Sequence, residues 1–333
     1  MNRIAIVSSA FLILFSIQLP APAFSAPADI PEGMGALPDS VPVPADNPMT
    51  EAKIELGKKL YFEPALSESG NISCNSCHNL GTWGVDNQRF SIGHKWQRGG
   101  RNAPTVLNAA FWSSQFWDGR APQLEDQAKG PPLNPVEMAN HDGKEVVERL
   151  REAGYEPMFT QVFGKNSLSF DNMAKAIGAF ERTLITPDAP FDRYVRGEGD
   201  ISAAAKRGMK KVDEIGCTAC HSGPLFTNNS FQRFAYGTDT GVESVTGKQE
   251  DDHMFRVQSW RNVAMTAPYF HDGSVKTLDE AVRIMAMVQL DTELSQNDVD
   301  DIVAFLETLT GKPPVVTFPQ LPRPAGHALI WQD

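Results

Sequence analysis

The chain has 333 residues, which is long enough for two ordinary domains, and it carries 30 basic and 41 acidic side chains. Its net charge of −11 argues against a nucleic-acid partner, because phosphate backbones recruit basic surfaces. An acidic surface is common in soluble proteins, but it also steers basic protein partners toward a site.

The first element of the chain predicts export. Arg3 gives a positive start, residues 4–17 are mostly apolar, and residues 21–23 (Ala-Pro-Ala) form a small-residue cleavage pattern. This order is typical of a secretory signal peptide, predicted here over residues 1–23, and its apolar run is short for a membrane span. No later stretch approaches a spanning length. We therefore expect a periplasmic protein with no membrane span and, once Arg3 is removed, a net charge of −12.

Four amphipathic patterns predict helices that begin at a serine or threonine N-cap, at Thr50, Ser169, Ser202 and Ser295. The last is the clearest, because apolar residues recur along one face and glycine then proline end it. The polar segment 186–202 predicts a boundary between a domain at 24–185 and a second domain at 186–333. The expected fold is mostly α and loop-rich, with few strands.

Two Cys-x-x-Cys-His pentads contain all the cysteines of the chain. Four cysteines in an exported protein are compatible with two disulfides, and Cys-x-x-Cys pairs also occur in zinc sites and redox motifs. The histidine after each pair favours covalent haem, because two thiols bind the vinyl groups and the adjacent histidine reaches the iron. A zinc site would have to join pairs separated by 139 residues. The predicted haem-binding residues are Cys74, Cys77 and His78, and Cys217, Cys220 and His221.

The segments that follow the two pentads share a pattern. Residues 101–128 and 261–281 both begin Arg-Asn and both reach Phe-x-Asp-Gly. Each pentad also follows a predicted helix. The simplest interpretation is an internal duplication that produced two cytochrome c-like haem domains. Trp117 occupies the variable position of the first copy, where a core aromatic is the alternative, and His271 occupies it in the second.

The second axial ligand of each iron decides between electron transfer and catalysis, since a thioether raises the potential and an open position permits peroxide chemistry. His94 follows the first pentad in a glycine-rich loop, where a surface histidine is the alternative. After the second pentad, spacing alone leaves several candidates open. They are His271, Met265, Met285 and Met287, and a methionine on a helix often only packs a core.

Several long segments together resemble the bacterial di-haem cytochrome c peroxidases. They occur in the family order from about residue 30 to about residue 320 and read CNSCHNLGTWGVDN, SIGHKW, NAPTVLNAAF, FWDGRAPQLEDQAKGPPLNPVEM, CTACHSGPLFT and RNVAMTAPYFHDGS. Gapless blocks of this length are more specific than a single pentad.

The resemblance implies a ligand set for each haem. The first haem would be peroxidatic, with His78 as proximal ligand and His94 as a removable distal ligand. The second would have a high potential, with His221 and Met285 as its ligands.

The resemblance also implies three groups of residues around the haems. Gln127 and Glu137 would line the peroxide pocket, and Trp117 would lie on the electron route between the haems. Asn102 would hold a calcium ion together with the backbone oxygens of two further residues, since calcium favours hard oxygen ligands. Those residues are Thr266 and Pro268.

The implied reaction converts hydrogen peroxide, two electrons and two protons into two waters, with Glu137 moving a proton. The implied electron donor is a small c-type cytochrome or a cupredoxin, and the enzyme is expected to be a homodimer. One alternative is a di-haem oxidase of the methylamine-utilisation type, which has a tyrosine where Met285 stands. Another is a non-enzymatic di-haem electron carrier, which would keep both irons closed and have no use for Glu137.

Overall fold

A computed structural model describes residues 30–322, so the predicted signal peptide lies outside the described residues. Helices predominate in this range, and the prediction of a mostly helical, loop-rich chain is confirmed. In chain order the α-helices are α1 (Glu51–Tyr61), α2 (Cys74–Cys77), α3 (Leu124–Gln127), α4 (Gly130–Leu133), α5 (Gly143–Glu152), α6 (Glu156–Phe163), α7 (Phe170–Glu181), α8 (Pro190–Val195), α9 (Ala203–Glu214), α10 (Glu243–Thr246), α11 (Leu278–Leu290) and α12 (Gln296–Glu307).

Strands are few, as predicted. Within residues 30–322 one antiparallel pair forms a sheet, β1 (Phe231–Arg233) and β2 (Met254–Arg256), with Gln232 opposite Phe255. The same part of the chain contains no helix of the length and hydropathy that a bilayer crossing requires.

The four predicted helix starts are confirmed by side-chain caps. Thr50 accepts a hydrogen bond from a backbone N–H of α1, and the serines that precede α7, α9 and α12 do the same, at 3.0–3.2 Å from the donors. Each cap satisfies one of the N–H groups that the first turn of a helix leaves without a partner.

Two pairs of helices cross at a glycine, one pair in each half of the chain. A Cβ on Gly57 of α1 would lie 1.8 Å from the carbonyl oxygen of Ala176 in α7. A Cβ on Gly208 of α9 would lie 1.9 Å from the carbonyl oxygen of Asp301 in α12. Only glycine permits backbones to approach this closely, so α1 packs directly on α7 and α9 packs directly on α12.

Two asparagines occupy matching places in the two halves. Asn108 and Asn262 both have a left-handed backbone, with φ of 64° and 62°. The Asn108 N–H donates to the carbonyl of Leu184 at 2.8 Å, and the Asn262 N–H donates to that of Leu309 at 3.2 Å. Each asparagine also stands eight residues before the phenylalanine of a Phe-x-Asp-Gly pattern, at Phe116 and at Phe270.

The two largest apolar clusters lie in different halves of the chain. One contains buried residues between 56 and 177, and the other contains buried residues between 191 and 309 together with Met34. The domain boundary predicted at residue 186 stays a prediction, and it falls between these clusters.

Each end of the described chain packs on the opposite half. Near the start, Met34 pairs with Gly223 in a backbone bridge. Near the end, the Lys59 ammonium group donates to the carbonyl of Gln320, and the rings of Phe62 and Phe318 lie 5.3 Å apart. The two halves are therefore joined by both ends as well as by the central linker.

Candidate active site and haem cavities

The first pentad borders a cavity of about 470 Å³, here called the first cavity, to which Cys77 and His78 contribute. Its short helix α2 opens at Ser73, whose N–H donates to Ser76 Oγ at 3.0 Å. The Nδ1 atom of His78 lies 2.9 Å from the carbonyl oxygen of Pro104. Burial lowers the pKa of His78, so the neutral imidazole that ligates metals is the favoured form.

The second pentad borders a cavity of about 410 Å³, here called the second cavity, which is lined by Cys217, Cys220 and His221. The Nδ1 atom of His221 lies 3.1 Å from the carbonyl oxygen of Phe226. The His221 ring also stacks on Trp260, with centroids 4.4 Å apart. Burial lowers the pKa of His221 to about 4.

These residues fit a covalently bound haem at each pentad. The four cysteines form no disulfide, and residues 30–322 contain no cluster of three or more His, Cys, Asp or Glu that could hold a metal ion. Each pentad histidine engages a carbonyl through Nδ1, which leaves Nε2 to ligate iron. Both cavity volumes fall within the range of about 300–1,000 Å³ that cofactor sites occupy.

The structure brings Gln127 and Glu137 together in the wall of the first cavity. Gln127 ends α3, and Glu137 lies in the loop between α4 and α5. Asn134 Nδ2 donates to Glu137 Oε1 at 2.8 Å and so orients the carboxyl group. Burial raises the pKa of Glu137, and the positive charge of Arg120 opposes this rise. A carboxyl group whose pKa is raised holds a proton more readily than an exposed glutamate does, which suits it to accept and return one.

Met285 and Met287 differ in their position relative to the second cavity. Met285 lines this cavity with His221, whereas the Met287 side chain is 46% exposed on the outside of α11. Of these two methionines, only Met285 is placed so that its thioether can reach a haem in the second cavity. Met285 as iron ligand stays a prediction, and the alternative register at Met287 has no geometric support.

His94 lies outside the lining of the first cavity, unlike Gly93 and Gly99 of the same loop. Its ring is buried, with Nε2 3.4 Å from a carboxylate oxygen of Glu68. Its backbone N–H donates to the carbonyls of Val136 and Glu137. The predicted iron ligation by His94 therefore requires a different position of this loop from the one described here.

The two cavities share a wall that contains Trp117 and Trp112. Trp117 Nε1 donates to the carbonyl of Asn102 at 2.9 Å, and the Asn102 N–H donates to the carbonyl of His271 at 2.7 Å. The rings of Trp117 and His271 meet edge to face at 6.2 Å. The residues at the variable position of the two Phe-x-Asp-Gly patterns are thus in contact at the boundary of the cavities.

The three predicted calcium ligands all border the second cavity: Asn102, Thr266 and Pro268. The side-chain amide nitrogen of Asn102 donates to the carbonyl of Gln88 at 2.8 Å, which leaves Oδ1 as its ligand atom. Amide and backbone oxygens are suitable calcium ligands. The residues fit the ion, and calcium binding stays a prediction.

Sequence reasoning missed three residues that line these cavities. Trp260 stacks on a pentad histidine, Trp112 contributes to the shared wall, and Glu181 lines the first cavity from the end of α7. A signal existed only for Trp260, which directly precedes the repeated Arg-Asn pair. The other two read as ordinary core and helix residues.

The fold and its two pentad-bearing cavities define a di-haem c-type protein, and comparison with known proteins gives its family. A family model described as di-haem cytochrome c peroxidase matches residues 51–200. The cytochrome c551 peroxidase of Pseudomonas aeruginosa is 46% identical over 303 residues, with 86% of each chain covered. The chain belongs to the di-haem cytochrome c peroxidase family, and the predicted peroxidase class and pair of haem groups are confirmed.

A relative related to the alternative function is less similar. The methylamine utilization protein MauG of Methylorubrum extorquens is 39% identical over 306 residues, with 86% of each chain covered. Among solved structures, a MauG-like protein associated with microbial copper homeostasis superposes with a TM-score of 0.75 at 29% identity, covering 86% of this chain and 96% of that chain. The peroxidase function therefore has stronger sequence support than the methylamine-utilisation function.

Proposed function

We propose that the two cavities divide the peroxidase reaction between them. The first cavity binds and reduces hydrogen peroxide, and the second receives electrons from a small c-type cytochrome or cupredoxin. The observation that carries this assignment is the difference in their linings. Gln127 and Glu137 lie in the first cavity with His78, whereas Met285 lies in the second with His221. Acid–base groups suit peroxide cleavage, and a thioether suits a high potential.

Glu137 is the proton-transfer group in this proposal. A haem bound by the first pentad supplies the iron that binds peroxide and passes it electrons. Glu137 accepts the proton of one peroxide oxygen and returns a proton to the other, so that water leaves. Asn134 fixes the direction of the carboxyl group, and Gln127 offers an amide to the same space. Burial raises the pKa of Glu137, which favours its holding a proton between the two transfers.

Electrons cross the shared wall in this proposal. Trp117 lines both cavities and is held by its hydrogen bond to Asn102. An aromatic ring fixed in that position lies in the gap between the two haem sites. It therefore shortens the part of the electron path that has no bridging group. The calcium ion proposed at Asn102 would stiffen the same wall, since that residue also contacts His271 through its N–H.

His94 acts as a removable distal ligand of the first iron. The loop position described here leaves the first cavity open and places the ring beside Glu68. In the second position the ring would enter the cavity and ligate the iron, so the loop is a two-state element. We further propose export to the periplasm, a homodimer and an origin by internal duplication. The matched contacts of Asn108 and Asn262 support the duplication.

Glu137→Gln in the haem-loaded protein tests the assignment. Glutamine keeps the shape and the hydrogen-bonding capacity but cannot shuttle a proton. Peroxide turnover with a reduced small c-type cytochrome should fall by at least about a hundredfold, because general acid–base help is worth about 10²–10⁴-fold. A pyridine haemochrome assay should still give two haems per chain, and the second haem should still be reduced by the donor.

The matched control is Glu152→Gln, which changes an exposed glutamate at the end of α5. It should turn over peroxide at the wild-type rate. Wild-type turnover by a doubly haem-loaded Glu137→Gln protein would remove Glu137 from the mechanism. Loss of turnover in both variants would indicate a general effect of charge on the donor, contrary to the proposal.

A further inference from the structure

A second carboxyl group lies in the first cavity, away from the proposed proton-transfer group. Glu181 is the last residue of α7, is 5% exposed, and lines the cavity with Cys77 and His78. Within residues 30–322 its Oε2 atom is buried without a hydrogen-bond partner. Burial of a carboxyl oxygen without a partner is costly, so a group retained in this state calls for a reason beyond packing.

The second cavity has an apolar residue at the corresponding place. The pattern Phe-x-x-Thr-Leu begins in the last turn of α7 and of α12, at Phe180 and at Phe305, and continues past the end of each helix. The final leucines of these patterns receive the matching hydrogen bonds from Asn108 and Asn262 described above. Counting back three residues from them pairs Glu181 with Leu306, which is 3% exposed and lines the second cavity. The carboxyl group is therefore specific to the first cavity.

The neighbouring charges do not neutralise Glu181. Arg182 is directed to Glu125 of α3, with its two terminal nitrogens 2.6 and 2.9 Å from the carboxylate oxygens. Burial raises the pKa of Glu181 to about 8, and Glu125 adds to this rise against the opposing effect of Arg182. Tyr61 of α1 and Cys74 of α2 interact electrostatically with it. The other ionisable groups in the cavity wall, apart from Cys77, are His78, Arg101, Asp118, Arg120 and Glu137.

We propose that Glu181 is a redox-linked protonation site of the first haem. When that haem accepts an electron, the Glu181 carboxylate takes up a proton, and when the electron leaves, the carboxylic acid releases it. Ferric iron, a carboxylate, one electron and one proton thus become ferrous iron and a carboxylic acid. The electron comes from the donor protein and the proton from solvent. The inference rests on the proposed haem attachment at Cys74 and Cys77.

The sign of the coupling follows from charge. An added electron places negative charge in a cavity of low dielectric, which disfavours a second negative charge nearby and raises the pKa of Glu181. Reduction is then accompanied by proton uptake at pH values between the pKa of the oxidised state and the higher pKa of the reduced state. The pKa of about 8 places this window near pH 8. Within it, the potential of the first haem falls as pH rises.

A spectroelectrochemical titration of each haem at a series of pH values tests the proposal. In the wild-type holoprotein the potential of the first haem should fall with pH around pH 8. Glu181→Gln should remove this slope, and Glu181→Leu, which copies the second cavity, should do the same. Glu181→Asp should retain a slope, and the second haem should behave alike in all four proteins. The titrations are repeated with Glu137→Gln added, which removes the proposed proton-transfer carboxyl group of the same cavity.

The outcomes separate this inference from the proposed function. A wild-type slope that persists in Glu181→Gln, in either background, overturns the inference while leaving the peroxidase assignment intact. An absent slope in the wild type also overturns it. Failure of the pyridine haemochrome assay to find haem at the first pentad would instead overturn the proposed function. A slope lost only with Glu181→Gln and Glu181→Leu, in proteins with two haems, supports the inference.

Discussion

Asp192→Ala breaks a buried ion pair beneath the second cavity. Asp192 is 0% exposed, and its partner Arg261 is 2% exposed and lines the cavity. The Arg261 Nη1 atom donates to Asp192 Oδ1 at 2.7 Å. The same carboxylate accepts from the backbone N–H groups of Leu37 at 3.0 Å and Ala189 at 2.9 Å. One side chain therefore joins the N-terminal segment, α8 and the start of the 261–281 segment.

The expected loss of stability is large because the positive charge of Arg261 stays buried. After the substitution Arg261 keeps its hydrogen bonds to the carbonyls of Pro224 and Gly35, at 2.7 and 2.9 Å, but has no counter-charge. Removal of one partner of a buried pair costs about 3–5 kcal/mol. Domain stabilities are about 5–15 kcal/mol, so the C-terminal half should become marginal.

Urea unfolding of the holoprotein, followed by far-ultraviolet circular dichroism, measures this change. Asp192→Ala should lower the free energy of unfolding by about 3–5 kcal/mol. Asp192→Asn is the matched control, since it retains an acceptor oxygen and should cost less. A free energy of unfolding for Asp192→Ala within about 1 kcal/mol of wild type, the size of an exposed pair, would refute the reasoning.

Three further predictions concern the metal ligands. Met285→His should lower the potential of the second haem in a redox titration, whereas Met287→His, on the exposed face of α11, should not; the reverse result would move the ligand by two residues. His94→Gly should convert the first haem from low spin to high spin in the fully ferric protein and permit reaction with peroxide before reduction, and an unchanged ferric spectrum would exclude His94 as a ligand. Added calcium should raise the melting temperature of the chelator-treated wild type but not of Asn102→Ala, and an equal rise in both would argue against ligation by Asn102.

Local sequence was sufficient to predict the helix starts and the pentad sites. A serine or threonine cap acts on an N–H two or three residues away, and each pentad carries its chemistry in five consecutive residues. The four capped helices therefore agree with prediction. The choice of Met285 rather than Met287 as candidate ligand required the structure, because the face of α11 that meets the cavity depends on packing.

Distant pairings could not be read from the chain. Asp192 and Arg261 are 69 residues apart, and nothing in either segment marks them as partners. In the sequence Glu181 is an ordinary glutamate at the end of a predicted helix, and nothing there marks it as the buried group that the structure shows. The hydrogen bonds of Asn108 to Leu184 and of Asn262 to Leu309 likewise join residues that are far apart in the chain.

Each chain end packs on the opposite half, and this determines whether the halves stay together when the linker is broken. The segment around Met34 belongs in sequence to the first half but packs in the second, and the segment around Phe318 does the reverse. A break in the chain between residues 186 and 189 would therefore yield two fragments that stay in contact through these end segments. Separating the two halves at the linker would take Met34 and Val316 away from the apolar clusters they pack against, so a single expressed half should include the corresponding end segment.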